Sequence, residues 1–153
     1  MRDRLIKFLA TGGGAGYAPQ APGLAGSVVG LGYWWLLRQL PSELLGWLVA
    51  GGVALFAVWC TGQAARLLGH KDPPQVVLDE IVAVPLALAL AAGWWLALAF
   101  VFFRVFDVWK PGFVRDSQKL PGGWGIVVDD LLAAALASVT TFAVAGTVTL
   151  VSR

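Results

Sequence analysis

Three stretches of this chain, Leu44 to Ala65, Ile81 to Phe103 and Leu131 to Ser152, contain no charged residue. Each reaches the roughly 20 apolar residues that carry a helix across the hydrocarbon of a bilayer. The charge elsewhere is sparse: 13% of the 153 residues are charged and 58% hydrophobic, about half the charge of an ordinary soluble domain. These features predict an integral membrane protein. Strands of such length without polar alternation would not close a barrel, so the expected class is all-α: a single polytopic helical membrane domain spanning residues 1–153.

The start of the chain, Met1-Arg-Asp-Arg-Leu-Ile-Lys7, resembles the charged head of a signal peptide. The Gly and Pro residues from Gly12 to Gly26 interrupt the apolar core that a signal needs, so no cleavage is expected. The same Gly/Pro-rich segment, Thr11 to Ser27, cannot be a regular helix throughout. A net charge of +2 with scattered basic residues excludes nucleic acid as a partner. Cys60 is the one cysteine and precedes Arg66 by the spacing of the cysteine phosphatases. Their thiolate is activated by a loop of backbone donors, whereas Thr61-Gly-Gln-Ala-Ala65 continues a helix-compatible run, and Cys60 reads as a packing residue.

A first membrane helix is expected from about Leu24 to Leu40, and a second from Leu44 to about Leu68. Within Ile81 to Phe103, Ala91-Ala92-Gly93-Trp94-Trp95 reads as a turn and an interfacial aromatic pair. That gives a short central hairpin, with helices from about Gln75 to Ala92 and from Trp94 to about Lys110, and about five membrane helices in all. With the N-terminus inside, this topology puts Arg2, Arg4, Lys7, Arg66, Lys71, Arg104, Lys110, Arg115 and Lys119 inside, leaving Arg38 and Arg153 outside. A single helix in place of the hairpin would move Arg104, Lys110, Arg115 and Lys119 outside, against the positive-inside bias.

The hairpin gives the acids a geometry. Asp79 lies fourteen residues before Gly93 and Asp107 fourteen after, so in an antiparallel pair both stand about 21 Å from the tip. Asp129 and Asp130 are expected to open the last helix, after a flexible Pro121-Gly-Gly-Trp-Gly125 stretch, where the helix dipole favours negative charge. Asp79, Glu80, Asp107, Asp129 and Asp130 would then converge on one membrane face. Carboxylate oxygens are hard ligands suited to Mg²⁺. Arg104 and Lys110, three residues either side of Asp107, could clamp a phosphate. Acids interleaved with bases suit phosphoryl transfer better than metal storage. Taken singly, the same acids are ordinary helix starts, and Arg104 with Asp107 an ordinary interfacial ion pair.

Other phosphatase chemistries fit less well. His70 is the only histidine, which excludes a mechanism needing two, and it reads as a loop residue. No Asp-x-Asp pair follows a strand. The Gly12-Gly-Gly-Ala-Gly16 run lacks a P-loop lysine and reads as a close-packing segment, with Thr11 and Ser27 able to add donors to a headgroup.

Four separated motifs carry a resemblance. They are Ala10-Thr-Gly-Gly-Gly-Ala-Gly16 with Pro22-Gly23 and Gly26-Ser27; Asp72-Pro73 leading to Asp79-Glu80; Arg104-x-x-Asp107-x-x-Lys110-Pro111; and Gly122-Gly123-x-Gly125-Ile126 to Asp129-Asp130. In order and spacing, from about residue 8 to 135, the chain resembles bacterial phosphatidylglycerophosphatase A. Leu24 stands where the family often has Thr, and Phe113 where it has a second Pro. Both bear on headgroup fit and loop shape and leave every charged position intact.

The resemblance implies a Mg²⁺-dependent lipid phosphatase of the bacterial cytoplasmic (inner) membrane, converting phosphatidylglycerophosphate to phosphatidylglycerol and phosphate at the cytoplasmic face. It assigns metal binding and catalysis to Asp79, Glu80, Asp107, Asp129 and Asp130, and phosphate binding to Arg104 and Lys110. Small-residue helix faces permit a homo-oligomer. Two rivals make different predictions. A small transporter would place acids at mid-membrane, where each span here is uncharged. A non-catalytic scaffold would tolerate Asp79→Asn or Asp107→Asn.

Overall fold

The computed structural model describes residues 1–152, and among them every regular element is helical. Seven α-helices follow in order: α1 (Arg2–Ala10), α2 (Pro22–Leu37), α3 (Glu43–Leu68), α4 (Leu78–Ala87), α5 (Trp95–Trp109), α6 (Gly112–Ser117) and α7 (Gly123–Val151). The Gly-rich run between α1 and α2 is a 3₁₀ segment, Gly12–Tyr17, with left-handed backbone at Gly13 and Gly14.

Two helices, α3 and α7, are long and apolar enough to cross a membrane. Large side chains such as Leu44, Leu48, Leu55 and Trp59 on α3, and Phe142, Val148 and Leu150 on α7, face outward. A soluble protein rarely leaves so much apolar surface uncovered. Ser42 caps α3, its hydroxyl accepting from the Leu45 N–H at 3.2 Å, and Gly69 ends it in a left-handed conformation.

The break within Ile81 to Phe103 falls at Gly93, whose φ of 58° suits a residue without a Cβ. The two arms differ from the sequence expectation. Helix α4 begins at Leu78 rather than near Gln75, because Val77 donates its N–H to the Ala10 carbonyl at 2.9 Å and stays outside the helix. It ends at Ala87, soon after an internal Pro85. Its ten residues span about 15 Å. The arms also make little contact with each other; each packs on α7, while α2 lies on α4 and α1 on α3.

Helix α7 begins six residues before Asp129, so Asp129 and Asp130 do not open it. They lie nearly two turns inside. The Pro121–Gly125 stretch is largely helix because glycine is needed for contact rather than flexibility: a Cβ on Gly123 would fall 1.8 Å from the Val58 carbonyl oxygen of α3. Small residues let helices approach this closely. A core of Ala83, Val84, Ala87, Ala99, Phe103, Val114, Ala133, Ala134 and Ala137 ties α4, α5 and α6 to α7.

Candidate active site

Three helices bring the acids together. Asp79 and Glu80 sit in the first turn of α4, where the helix dipole favours negative charge. Asp107 lies in the last turn of α5, and Asp129 and Asp130 project from the buried first half of α7. All four aspartates are buried and Glu80 is nearly so.

Lys110 links two of these helices. It terminates α5 in a left-handed conformation, φ 48° and ψ 70°, uncommon for a residue with a Cβ and of a kind that gathers at functional sites. Its ammonium forms an ion pair with Asp129 and stands 3.9 Å from Asp107 and 4.0 Å from Asp130. Burial alone would lower the lysine pKa, but the carboxylates of Asp129, Asp130 and Asp107 outweigh it and raise the value. Lys110 is therefore charged throughout the physiological range. Arg104 Nη1 pairs with Asp107 Oδ2 at 2.7 Å and donates to Ser27 Oγ at 3.1 Å.

Five carboxyls thus face two cations, and the imbalance shows in their bonding. Asp79 Oδ1, Glu80 Oε2, Asp129 Oδ1 and Asp130 Oδ2 are buried without a hydrogen-bond partner. A buried unpaired carboxylate oxygen is costly. Asp79, Glu80 and Asp130 each offer an oxygen such that all three lie within 4.8 Å of one another. Three hard oxygen donors so grouped, two of them on buried aspartates, are the chemistry that a divalent cation such as Mg²⁺ takes.

Of the two hydroxyls proposed for the headgroup, Ser27 touches the site through Arg104. Thr11 is buried and donates to the Phe8 carbonyl at 3.1 Å, closing the end of α1. Three residues outside the expected set also reach the cluster. Gln118 Nε2 donates to Asp129 Oδ2 at 2.9 Å. Gly23 lies against Glu80 and Arg104. Asp72 is at the surface, yet desolvation of its carboxyl raises its pKa; Lys110 pulls it down, and Asp129 and Asp107 push it up. Asp72 and Gly23 stand in the sequence motifs already noted, whereas Gln118 carried no signal.

Cys60 is buried within α3, its thiol directed at the Ile6 carbonyl oxygen, while Arg66 is exposed, an arrangement without a phosphate loop. His70 lines a separate cavity of about 570 Å³ with Trp59, Arg66, Lys71 and Trp124. None of the five acids borders it, so this cavity is separate from the carboxylate cluster.

The family model described as "PgpA: Phosphatidylglycerophosphatase A" matches residues 8–145. Phosphatidylglycerophosphatase A of Escherichia coli is 35% identical over 135 residues, covering 86% of this chain and 78% of its own. The Haemophilus influenzae protein of the same name is 34% identical over 143 residues, 91% and 88% of the two chains. A Bacteroides thetaiotaomicron protein named "Putative phosphatidylinositol-3-phosphatase" is 36% identical over 135 residues, 82% and 84%. No solved structure matches. The matched region contains every residue that supplies an acid or a cation to the cluster, and relatives about 35% identical align over most of their length: the chain belongs to the phosphatidylglycerophosphatase A family.

Proposed function

We propose that this chain removes the terminal phosphate of phosphatidylglycerophosphate, releasing phosphatidylglycerol and phosphate, with Mg²⁺ held by the acid cluster. The observation that carries the reading is the set of buried carboxylate oxygens without partners, converging from α4 and α7 beside two cations. Asp79, Glu80 and Asp130 would hold the ion, with Asp107 and Asp129 completing its surroundings. When bound, Mg²⁺ supplies charge balance and polarises a phosphoryl oxygen.

The chain's own groups do the rest. Arg104 and Lys110 present N–H donors to the equatorial phosphate oxygens, where negative charge accumulates as the P–O bond breaks. Asp107 orients both cations, and Asp129 is held by Lys110 and Gln118. An oxygen nucleophile attacks phosphorus in line with the departing glycerol oxygen, which takes up a proton. Water as nucleophile gives phosphate directly; an aspartate gives an acyl phosphate, trapped by hydroxylamine, that water then cleaves.

In the membrane, α2, α3, the α4–α5 hairpin and α7 form the five-helix arrangement, with the site at the cytoplasmic face of the bacterial inner membrane. Helix α1, with Arg2, Arg4 and Lys7 and with Leu5 and Phe8 exposed, suits an interfacial position there. The lipid tails stay in the bilayer while the headgroup reaches the acids. A thiol reporter at Lys119 is expected to resist external reagents in intact cells; labelling from outside would refute this orientation.

The test of activity is phosphate release from phosphatidylglycerophosphate in detergent micelles, with Mg²⁺ or EDTA, run beside phosphatidylinositol 3-phosphate. The second lipid is included because the Bacteroides relative is named for it. Metal-dependent release from the first, abolished by Asp107→Asn, is the expected outcome. Release from the second alone would reassign the headgroup, and release from neither would overturn the phosphatase reading.

A further inference from the structure

The first two turns of α2 meet the site at two points. Ser27 is fully buried. Its hydroxyl donates to the Gly23 carbonyl oxygen at 2.9 Å and accepts from Arg104 Nη1 at 3.1 Å. A serine hydroxyl has one proton, and here the main chain already holds it. It has none left for a phosphate oxygen.

Gly23 lies one turn earlier on the same helix. A Cβ at this position would fall 2.2 Å from Glu80 Oε1 and 3.1 Å from Arg104 Nη2. The missing side chain lets groups from α4 and α5 close around the start of α2. Arg104 is then held from two sides, by Asp107 of its own helix and by Ser27 of a helix that carries no acid of the cluster. Left with Asp107 alone, the guanidinium could rotate about that one contact.

We infer that Gly23 and Ser27 are positioning residues: Ser27 fixes the Arg104 guanidinium, and Gly23 keeps open the space in which Arg104 and Glu80 face the substrate phosphate. The inference rests on the lipid phosphatase reading and deepens it, by making α2 the element that sets the distance between phosphate clamp and acids. Neither residue need touch the substrate. Ser27, expected from sequence to donate to a headgroup, acts through Arg104.

A double-mutant cycle separates this from direct contact and from a merely structural role. Ser27→Ala is expected to lower kcat/KM on phosphatidylglycerophosphate about 10-fold, as for loss of one hydrogen bond to a charged group, and to have no further effect once Arg104 is Ala. Losses that multiply, or Ser27→Ala at native kcat/KM, would overturn the role of Ser27. Gly23→Ala, with helical content checked by circular dichroism, is expected to lose at least 10-fold and to need more Mg²⁺ for the same thermal shift. Native behaviour in both readouts would overturn the role of Gly23.

The Ser27 and Arg104 cycle is also read by inorganic phosphate binding in calorimetry, which needs no turnover. Coupling there in a chain inactive on both lipids would overturn the phosphatase reading and leave the positioning inference standing. Absence of coupling in both readouts would overturn the inference alone.

Discussion

The two halves of α7 belong to one long apolar helix and have different surroundings. From Gly123 to Ser138 the helix is wedged among α3, α4, α5 and α6, and Asp129, Asp130, Ala133, Ala134, Ala137 and Ser138 are buried. Ser138 accepts the Leu90 N–H at the hairpin turn, at 3.2 Å. Beyond Thr141, Phe142, Val148, Leu150 and Val151 face outward. Thr147 and Thr149 return their hydroxyls to carbonyls one turn back, each at 2.9 Å. An apolar run fixes how far a helix extends; what it packs against is set by side-chain size. Alanines admit neighbours in the first half, whereas Val, Phe and Leu cover the second. The acids sit where neighbouring helices can shield them from lipid.

The comparison breaks most sharply at Asp130. Asp130→Asn is expected to lower phosphate release roughly 10²- to 10⁴-fold, the range for loss of a group acting at the reacting centre. The folded variant should also lose most of the thermal stabilisation that Mg²⁺ gives the native chain. Without metal it should be no less stable, because one of several buried like charges has gone. Activity within tenfold of native would detach the buried half of α7 from the chemistry.

Lys110→Met probes what the same half requires from α5. It leaves Asp129 with Gln118 as its remaining donor. The expected cost is about 2–3 kcal/mol in denaturant unfolding, below the ~3–5 kcal/mol of a wholly buried pair because the lysine side chain is 23% exposed. The folded lysine pKa is raised, so its contribution is complete below the ordinary lysine range and fades only as pH climbs through the higher folded value. The gap between native and variant should therefore stay constant from pH 7 to 9. A gap that closes within that window would show that the ammonium is not held by the acids.

A matched pair of substitutions tests packing directly. Ala137→Leu introduces bulk at a position with no exposure and is expected to cost about 1–3 kcal/mol. Ala143→Leu, on the outward half, should change stability by no more than about 0.5 kcal/mol. Equal effects in thermal unfolding would mean that the second half of α7 is covered as well.

Much of this arrangement could be read from residues alone. Ser42 and Gly69 bracket α3 close to the expected bounds, and the turn at Gly93 falls where the Trp pair and the distribution of cations placed it. The five acids and two cations lie together, although the hairpin geometry used to bring Asp79 beside Asp107 is not what joins them. Helix α7 separates the two arms, and sequence spacing cannot reveal a third helix between two neighbours. The start of α7 was obscured by Gly122, Gly123 and Gly125, because glycine for a sharp turn and glycine for contact with the Val58 carbonyl look alike in a one-dimensional pattern. Gln118 was invisible because a lone polar residue in a short connection has no periodicity to mark it.

The smallest expected effect lies at the rim of the site. Asp72 feels Lys110, Asp129 and Asp107, and its folded pKa is raised, mainly by desolvation. The folded state therefore binds this proton more tightly than the unfolded state, and stability falls as pH rises through the window between the two values. At neutral pH the full cost of the ionised carboxyl is present. Asp72 is exposed, so solvent screens much of this cost; Asp72→Asn removes the charge and is expected to raise Tm at pH 7 by only about 1–2 °C, a shift equivalent to a fraction of a kcal/mol in a chain of this size. The advantage should shrink as pH falls through the carboxylate range and the native carboxyl takes up its proton. A variant less stable than native at pH 7 would mean that the Asp72 charge is stabilising, and that Lys110 serves the loop before α4 as well as the buried half of α7.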